Sequence, residues 1–184
     1  MNLFSEPSLE DLCAVPAARS SAPSLAPSHS FDVDVYDVSL TECPHPAVRS
    51  RPSAAQKAGL RYERKAKAYL ASLYPGFVSG PWLSYRRMAD HQKRFCQPDG
   101  YVFEADSGLL TIFEIKLRWC AEAANQLRLY RACLASLLHP RSVRCACVTR
   151  SFDPAVNFEG RAVLVDGSTW ISEDASVIQV LIWK

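Results

Sequence analysis

Asp99, at the end of Gln97-Pro98-Asp99, and the pair Glu114 and Lys116 in Phe113-Glu114-Ile115-Lys116 are the residues whose types and spacing could do chemistry. Two carboxylates and an ammonium brought to one point suit a hard divalent cation, which prefers oxygen ligands and keeps several waters to present to a phosphate. Such an ion polarises a phosphoryl oxygen and lowers the pKa of a bound water. The surrounding residues say how the three groups would meet. Pro98-Asp99-Gly100 is a turn signal, and Tyr101-Val102-Phe103 reads as a strand with Asp99 at its mouth. Asp106-Ser107-Gly108 marks a second turn, and residues 109–117 read as a buried strand, so a hairpin brings Asp99 to Glu114. On a strand of period two, Glu114 and Lys116 share one face, and Phe113, Ile115 and Leu117 share the other. An ionised Glu and Lys on a central strand are costly unless they pair, bind metal or border water.

The order Pro-Asp, then Glu-x-Lys, resembles the PD-(D/E)xK nuclease superfamily, in its RecB-like and phage-exonuclease branches. Each motif alone is common, as a turn or as an exposed-strand pair. The apolar run Leu109-Leu110-Thr111-Ile112-Phe113 instead marks the second strand as central. The resemblance implies an α/β fold with a restriction-endonuclease-like α-β-β-β-α-β core, a central mixed sheet flanked by helices. It further implies Mg²⁺, with Mn²⁺ as an alternative ion, held by Asp99, Glu114 and the backbone carbonyl of Ile115. Lys116 would position or activate the attacking water.

Two helices are expected around the hairpin. Residues 54–73 read as a helix ended by Tyr74-Pro75-Gly76, with Leu60, Glu63, Lys67, Leu70 and Tyr74 along one stripe. In the superfamily the helix before the sheet often supplies a Glu to the metal, and Glu63 matches it. The plainer reading of Glu63 is an i,i+4 ion pair with Lys67, worth a few tenths of a kcal/mol. Residues 121–138 read as a second helix stopped by His139-Pro140, with Gln126 and Tyr130 on one face. That pair resembles the Gln-x-x-x-Tyr motif of the same branches, in which the Gln lies near the metal and helps position DNA or the catalytic groups, and Tyr130 is expected to contact the nucleic acid. The plainer reading is a helix-surface residue.

Charge is segregated along the chain. Residues 1–50 hold 2 basic and 7 acidic side chains, residues 51–150 hold 17 and 7, and residues 151–184 hold 2 and 5. A core of net +10 between acidic ends is the electrostatic footprint of a polyanion partner, which the resemblance implies is DNA. The densest cluster, Arg86, Arg87, Lys93 and Arg94 around His91, precedes Asp99 and is expected to contact phosphates, with Arg118 and Arg128 extending the surface. The alternative for such a run is a solvated face. His91 is either an auxiliary acid or base or, more simply, a loop bystander.

Residues 1–30, rich in Ser, Pro and Ala, read as a flexible tail, and residues 31–184 as one nuclease domain with its core at about 54–150. No secretory leader or span of roughly 20 apolar residues is visible, so a cytoplasmic protein without a membrane partner is expected, in the bacterial host if phage-encoded. Residues 31–38 alternate as a strand, with Asp32 and Asp34 outward on an edge rather than ligating metal. Further strands are expected within 77–85, at 143–149, near 162–166 and at 176–183, the last of these beside 31–38. The 7 cysteines are odd in number and irregularly spaced, which argues for reduced thiols. Cys145 and Cys147 lie in a strand, and an iron-sulfur cluster is disfavoured because no Cys follows Cys147.

The expected function is therefore metal-dependent hydrolysis of DNA phosphodiesters. One alternative is a structure-specific, Holliday-junction-resolvase-like endonuclease; those enzymes are usually dimers, so a homo-oligomer stays open. The other is a non-catalytic nucleic-acid-binding protein on the same fold.

Overall fold

The computed structural model describes residues 33–44, 51–152, 162–165 and 178–183. The chain divides into two units, Met1–Ser30 and Phe31–Lys184. The expected tail at 1–30 lies outside the described residues, and every described element belongs to the second unit.

Helix α1 spans Ala54–Leu73 and opens on a capping box. Ser53 Oγ accepts from the Gln56 N–H at 3.2 Å, and the Ser53 N–H donates to Gln56 Oε1 at 2.8 Å. It stops at Tyr74, whose extended backbone precedes Pro75 and Gly76. Helix α2 spans Ala121–Leu138 and ends where His139 turns left-handed, at φ 48°, ahead of Pro140.

The strands are β1 (Val35–Thr41), β2 (Phe77–Ser79), β3 (Trp82–Arg87), β4 (Lys93–Cys96), β5 (Gly100–Glu104), β6 (Leu109–Lys116), β7 (Ser142–Thr149), β8 (Ala162–Val165) and β9 (Ile178–Ile182). Six form a mixed sheet in the order β2-β5-β6-β7-β9-β8, antiparallel from β2 to β6 and parallel from β6 onward. Apart from the excursion through β3 and β4, the elements reach this sheet as α1, β2, β5, β6, α2, β7. Gly108, at φ +69°, takes the left-handed corner of the β5–β6 turn, and its N–H donates to the Glu104 carbonyl at 2.8 Å.

Alternation along β6 divides the core. Phe113 and Ile115 join Tyr62, Ala66 and Leu70 of α1 on one face, while Leu110 and Ile112 join Leu127, Tyr130 and Leu134 of α2 on the other. The α2 cluster also includes Leu83, Tyr85 and Cys96 from a separate antiparallel sheet, β1-β3-β4. Apolar surface thus covers α2 from two sides. Cys96 and Cys133 bring their sulfurs to 4.0 Å across this junction, and Cys96, Cys120, Cys133, Cys145 and Cys147 are free thiols.

Two expectations are corrected. Residues 77–85 hold not one strand but β2 and the start of β3, because Gly80, at φ +42°, and Pro81 break the run. The last strand does not lie beside residues 31–38: β9 sits between β7 and β8, and β1 pairs with β3 in the smaller sheet. Strand β1 is an edge, and Asp34 is exposed just ahead of it; Phe31 and Asp32 lie outside the described residues. Among the described residues no helix is long and apolar enough to cross a membrane.

Candidate active site

Antiparallel pairing of β5 with β6 places Gly100 opposite Phe113, so Asp99 arrives beside the end of β6, next to Glu114. Parallel β7 runs with β6, and the cluster therefore sits at the carboxyl end of the parallel strands, where open α/β sheets leave a crevice. Asp99 is held by two backbone amides, and Gln97 braces one of their residues, Gly80. Asp99 Oδ2 accepts from the Ile115 N–H at 2.7 Å, its carbonyl accepts from the Gly80 N–H at 3.2 Å, and the Gln97 side chain donates to the Gly80 carbonyl at 2.8 Å. The next residue must be small: a Cβ at Gly100 would lie 2.2 Å from the Phe77 ring.

Glu114 is 2 % exposed. Its Oε1 accepts from Lys116 Nζ at 2.8 Å, and its Oε2 has no hydrogen-bond partner. Burial, then the neighbouring Asp99 carboxylate, pushes its pKa up to about 7 against the pull of Lys116; once protonated, Glu114 can donate to Asp99, which favours the acid further. Burial also raises Asp99, opposed by the Ile115 N–H and by Lys67. Burial works against the Lys116 ammonium, yet its hydrogen bond and attraction to Glu114 hold its pKa above the ordinary value.

Glu63 is where the plainer reading put it, 2.7 Å from Lys67 Nζ. The same ammonium reaches Asp99 Oδ1 at 3.4 Å. Lys67 therefore connects α1 to the carboxylates, a role the sequence reading did not give it; the signal was a cation on an otherwise mostly apolar stripe. Among the described residues no three His, Cys, Asp or Glu side chains converge as a metal-binding group, so Glu63 does not complete a trio with Asp99 and Glu114.

Gln126 and Tyr130 approach from α2. Gln126 lies beside Tyr130 with its Oε1 buried and without a partner, and Tyr130 is near enough to feel the charges of Glu114 and Asp99. Burial raises the Tyr130 pKa strongly. At 4 % exposure Tyr130 cannot present its ring to a nucleic acid, because the smaller sheet covers that side of α2.

The basic cluster ahead of Asp99 is the β3–β4 hairpin, with Lys93 facing Arg86 across the ladder. Arg86 pairs with Asp37 at 3.2 Å and donates to the His91 carbonyl at 2.7 Å, and Arg94 pairs with Asp90. Lys93 lies over the Phe95 ring. His91, at φ 55°, shapes the hairpin tip and shares a 2.7 Å hydrogen bond with the Tyr36 hydroxyl. Arg118 is exposed, and Arg128 donates to Asn125 Oδ1 at 3.2 Å.

The carboxylates of Asp99 and Glu114, one oxygen of which lacks any partner, supply the oxygen donors a hard divalent cation prefers, and the Lys116 ammonium stands beside them. No family model, curated protein or solved structure matches the chain, so its functional reading rests on these residues.

Proposed function

We propose that this protein is a Mg²⁺-dependent deoxyribonuclease, hydrolysing phosphodiester bonds with the Asp99, Glu114 and Lys116 cluster. The observation that carries the reading is the partnerless Glu114 Oε2, buried beside a second carboxylate. A buried anionic oxygen left without a donor is a standing cost, and a cation at this point would remove it. Motif order and the α-β-β-β-α-β succession into the main sheet support placing it with the PD-(D/E)xK nucleases.

Asp99, Glu114 and the Ile115 carbonyl would hold the ion, which when bound supplies charge against the phosphoryl oxygens and an acidified water. The remaining steps belong to the chain. The Ile115 N–H fixes the Asp99 carboxylate, leaving Oδ1 toward Lys67. Lys116, on the face of β6 shared with Glu114, orients the attacking water and opposes negative charge growing on the phosphate. Lys67 restrains Asp99 from the α1 side, and Gln126 offers its free Oε1 from the α2 side.

The test is incubation with linear, nicked, circular and branched DNA, in Mg²⁺, in Mn²⁺ and in EDTA. Loss of linear DNA alone identifies an exonuclease, nicking of circles an endonuclease, and preference for branched DNA the junction-specific kind. Failure to cleave any of them in either metal overturns the proposal.

A further inference from the structure

Helix α1 carries five basic side chains, Lys57, Arg61, Arg64, Lys65 and Lys67, against the single acid Glu63. Lys67 takes Glu63. Lys57, Arg61, Arg64 and Lys65 are all exposed, and none has an ion pair among the described residues. Their spacing sets like charges together at i,i+4, as Lys57 with Arg61 and Arg61 with Lys65, and at i,i+3, as Arg61 with Arg64. Each such pair opposes helix formation by a few tenths of a kcal/mol. Folding gains nothing from that arrangement.

The face is also joined to the carboxylates. Lys57, Arg61, Arg64 and Lys67 line one groove of about 890 Å³ along α1. Leu60 and Glu63 form its wall with a second groove of about 430 Å³, which opens on Ile115 and Lys116. A polyanion lying in the first groove therefore reaches the second past Leu60 and Glu63, whose charge is paired with Lys67.

We infer that the exposed face of α1 around Lys57, Arg61 and Arg64 is the track that holds the phosphate backbone of the DNA strand and leads it to the Asp99–Glu114–Lys116 cluster. The inference deepens the nuclease reading and rests on it for the identity of the polyanion. Seven residues of helix cover about 10 Å. One strand of duplex carries a phosphate every 3.4 Å or so of axis, so the face matches about three phosphates. Contacts from a charged helix face to phosphates position DNA without reading its sequence.

The experiment measures fluorescence anisotropy of labelled duplexes and single strands of unrelated sequence, with the full chain and Ca²⁺ in place of Mg²⁺ to prevent turnover. It compares the parent, the triple variant Lys57→Ala/Arg61→Ala/Arg64→Ala, and the hairpin variant Arg86→Ala/Arg94→Ala. Alanine is the best helix former, so the triple variant keeps α1, which circular dichroism verifies. The triple variant is expected to lose about tenfold or more in affinity for every sequence. Its slope of log affinity against log salt on duplex should flatten by about 0.9 for each contact removed. The hairpin variant should lose less on both counts. Parent-like affinity and salt slope in the triple variant, a larger loss in the hairpin variant, or no DNA binding by the parent would each overturn the track. A parent that binds along α1 yet never cleaves would leave the track standing and remove the nuclease.

Discussion

Helix α1 and the β3–β4 hairpin are the two basic regions of this molecule, and they use their charge differently. On the hairpin, Arg86 reaches Asp37 of β1 and the His91 carbonyl, while Arg94 reaches Asp90. The first of those contacts ties the hairpin to the edge strand β1, and the other two close the hairpin on itself. On α1, only Lys67 is paired, with Glu63 and Asp99, and the other four cations face solvent. The hairpin is the denser cluster in sequence, yet only Arg87 and Lys93 of its four cations have no ion pair among the described residues, against four of the five on α1, so α1 holds more of the charge still available to a partner. Surface ion pairs add little to stability but do neutralise the groups they join. Local charge density alone is therefore a poor guide to where a polyanion binds.

Separating binding from chemistry sharpens this contrast most. Asp99→Ala and Glu114→Ala are each expected to reduce Mg²⁺-dependent cleavage by on the order of 10³-fold or more. In EDTA both should keep DNA affinity, since neither residue lies on the basic face of α1. Cleavage within a few-fold of the parent would remove the carboxylates from the site, and lost metal-free affinity would extend the binding track into it.

Lys116→Ala divides the cluster further. An ammonium that orients water contributes to the transition state, so the variant should lose about 10²–10⁴-fold in rate while Mg²⁺ affinity by calorimetry stays near that of the parent. Rescue by high Mg²⁺ would instead make Lys116 part of metal binding.

Glu114 has its pKa raised from 4.5 to about 7, so the folded state holds this proton more tightly than the unfolded chain does. Stability from this group is complete below the ordinary value and is lost as pH rises through about 7. Glu114→Gln should therefore raise stability at pH 8 in EDTA by about 1–3 kcal/mol and change it little near pH 4.5. Thermal unfolding across that range checks the sign; a difference independent of pH would show that the carboxylate is not strained by its neighbours.

The smallest effect distinguishes the two basic regions without DNA. Removing Arg86 frees Asp37 and should cost up to about 1 kcal/mol at low salt. Arg61→Ala removes like-charge neighbours and adds helix propensity, so stability should hold or rise by a few tenths of a kcal/mol. Equal losses in urea unfolding would mean that Arg61 supports the fold and does not wait for a ligand.

What the sequence by itself determined is what short-range chemistry controls. The Ser53 capping box and the Tyr74-Pro75-Gly76 stop delimit α1, and His139-Pro140 ends α2. The turns at Pro98-Asp99-Gly100 and at Gly108 delimit β5 and β6, which suffices to bring Asp99 beside Glu114 and to separate Glu114 from Phe113 and Ile115 by face. The tertiary structure alone decided which strands are neighbours, since backbone ladders pair without regard to distance along the chain; β9 thus lies between β7 and β8 instead of beside β1. It also decided that Tyr130 is buried, because the second sheet covering α2 leaves no period in the helix to read. The pairing of Arg86 with Asp37 and of Lys67 with Asp99 belongs to the same class. Coulomb attraction depends on distance in space, and only the folded chain sets which charges come within 4 Å of one another and which are left for a partner.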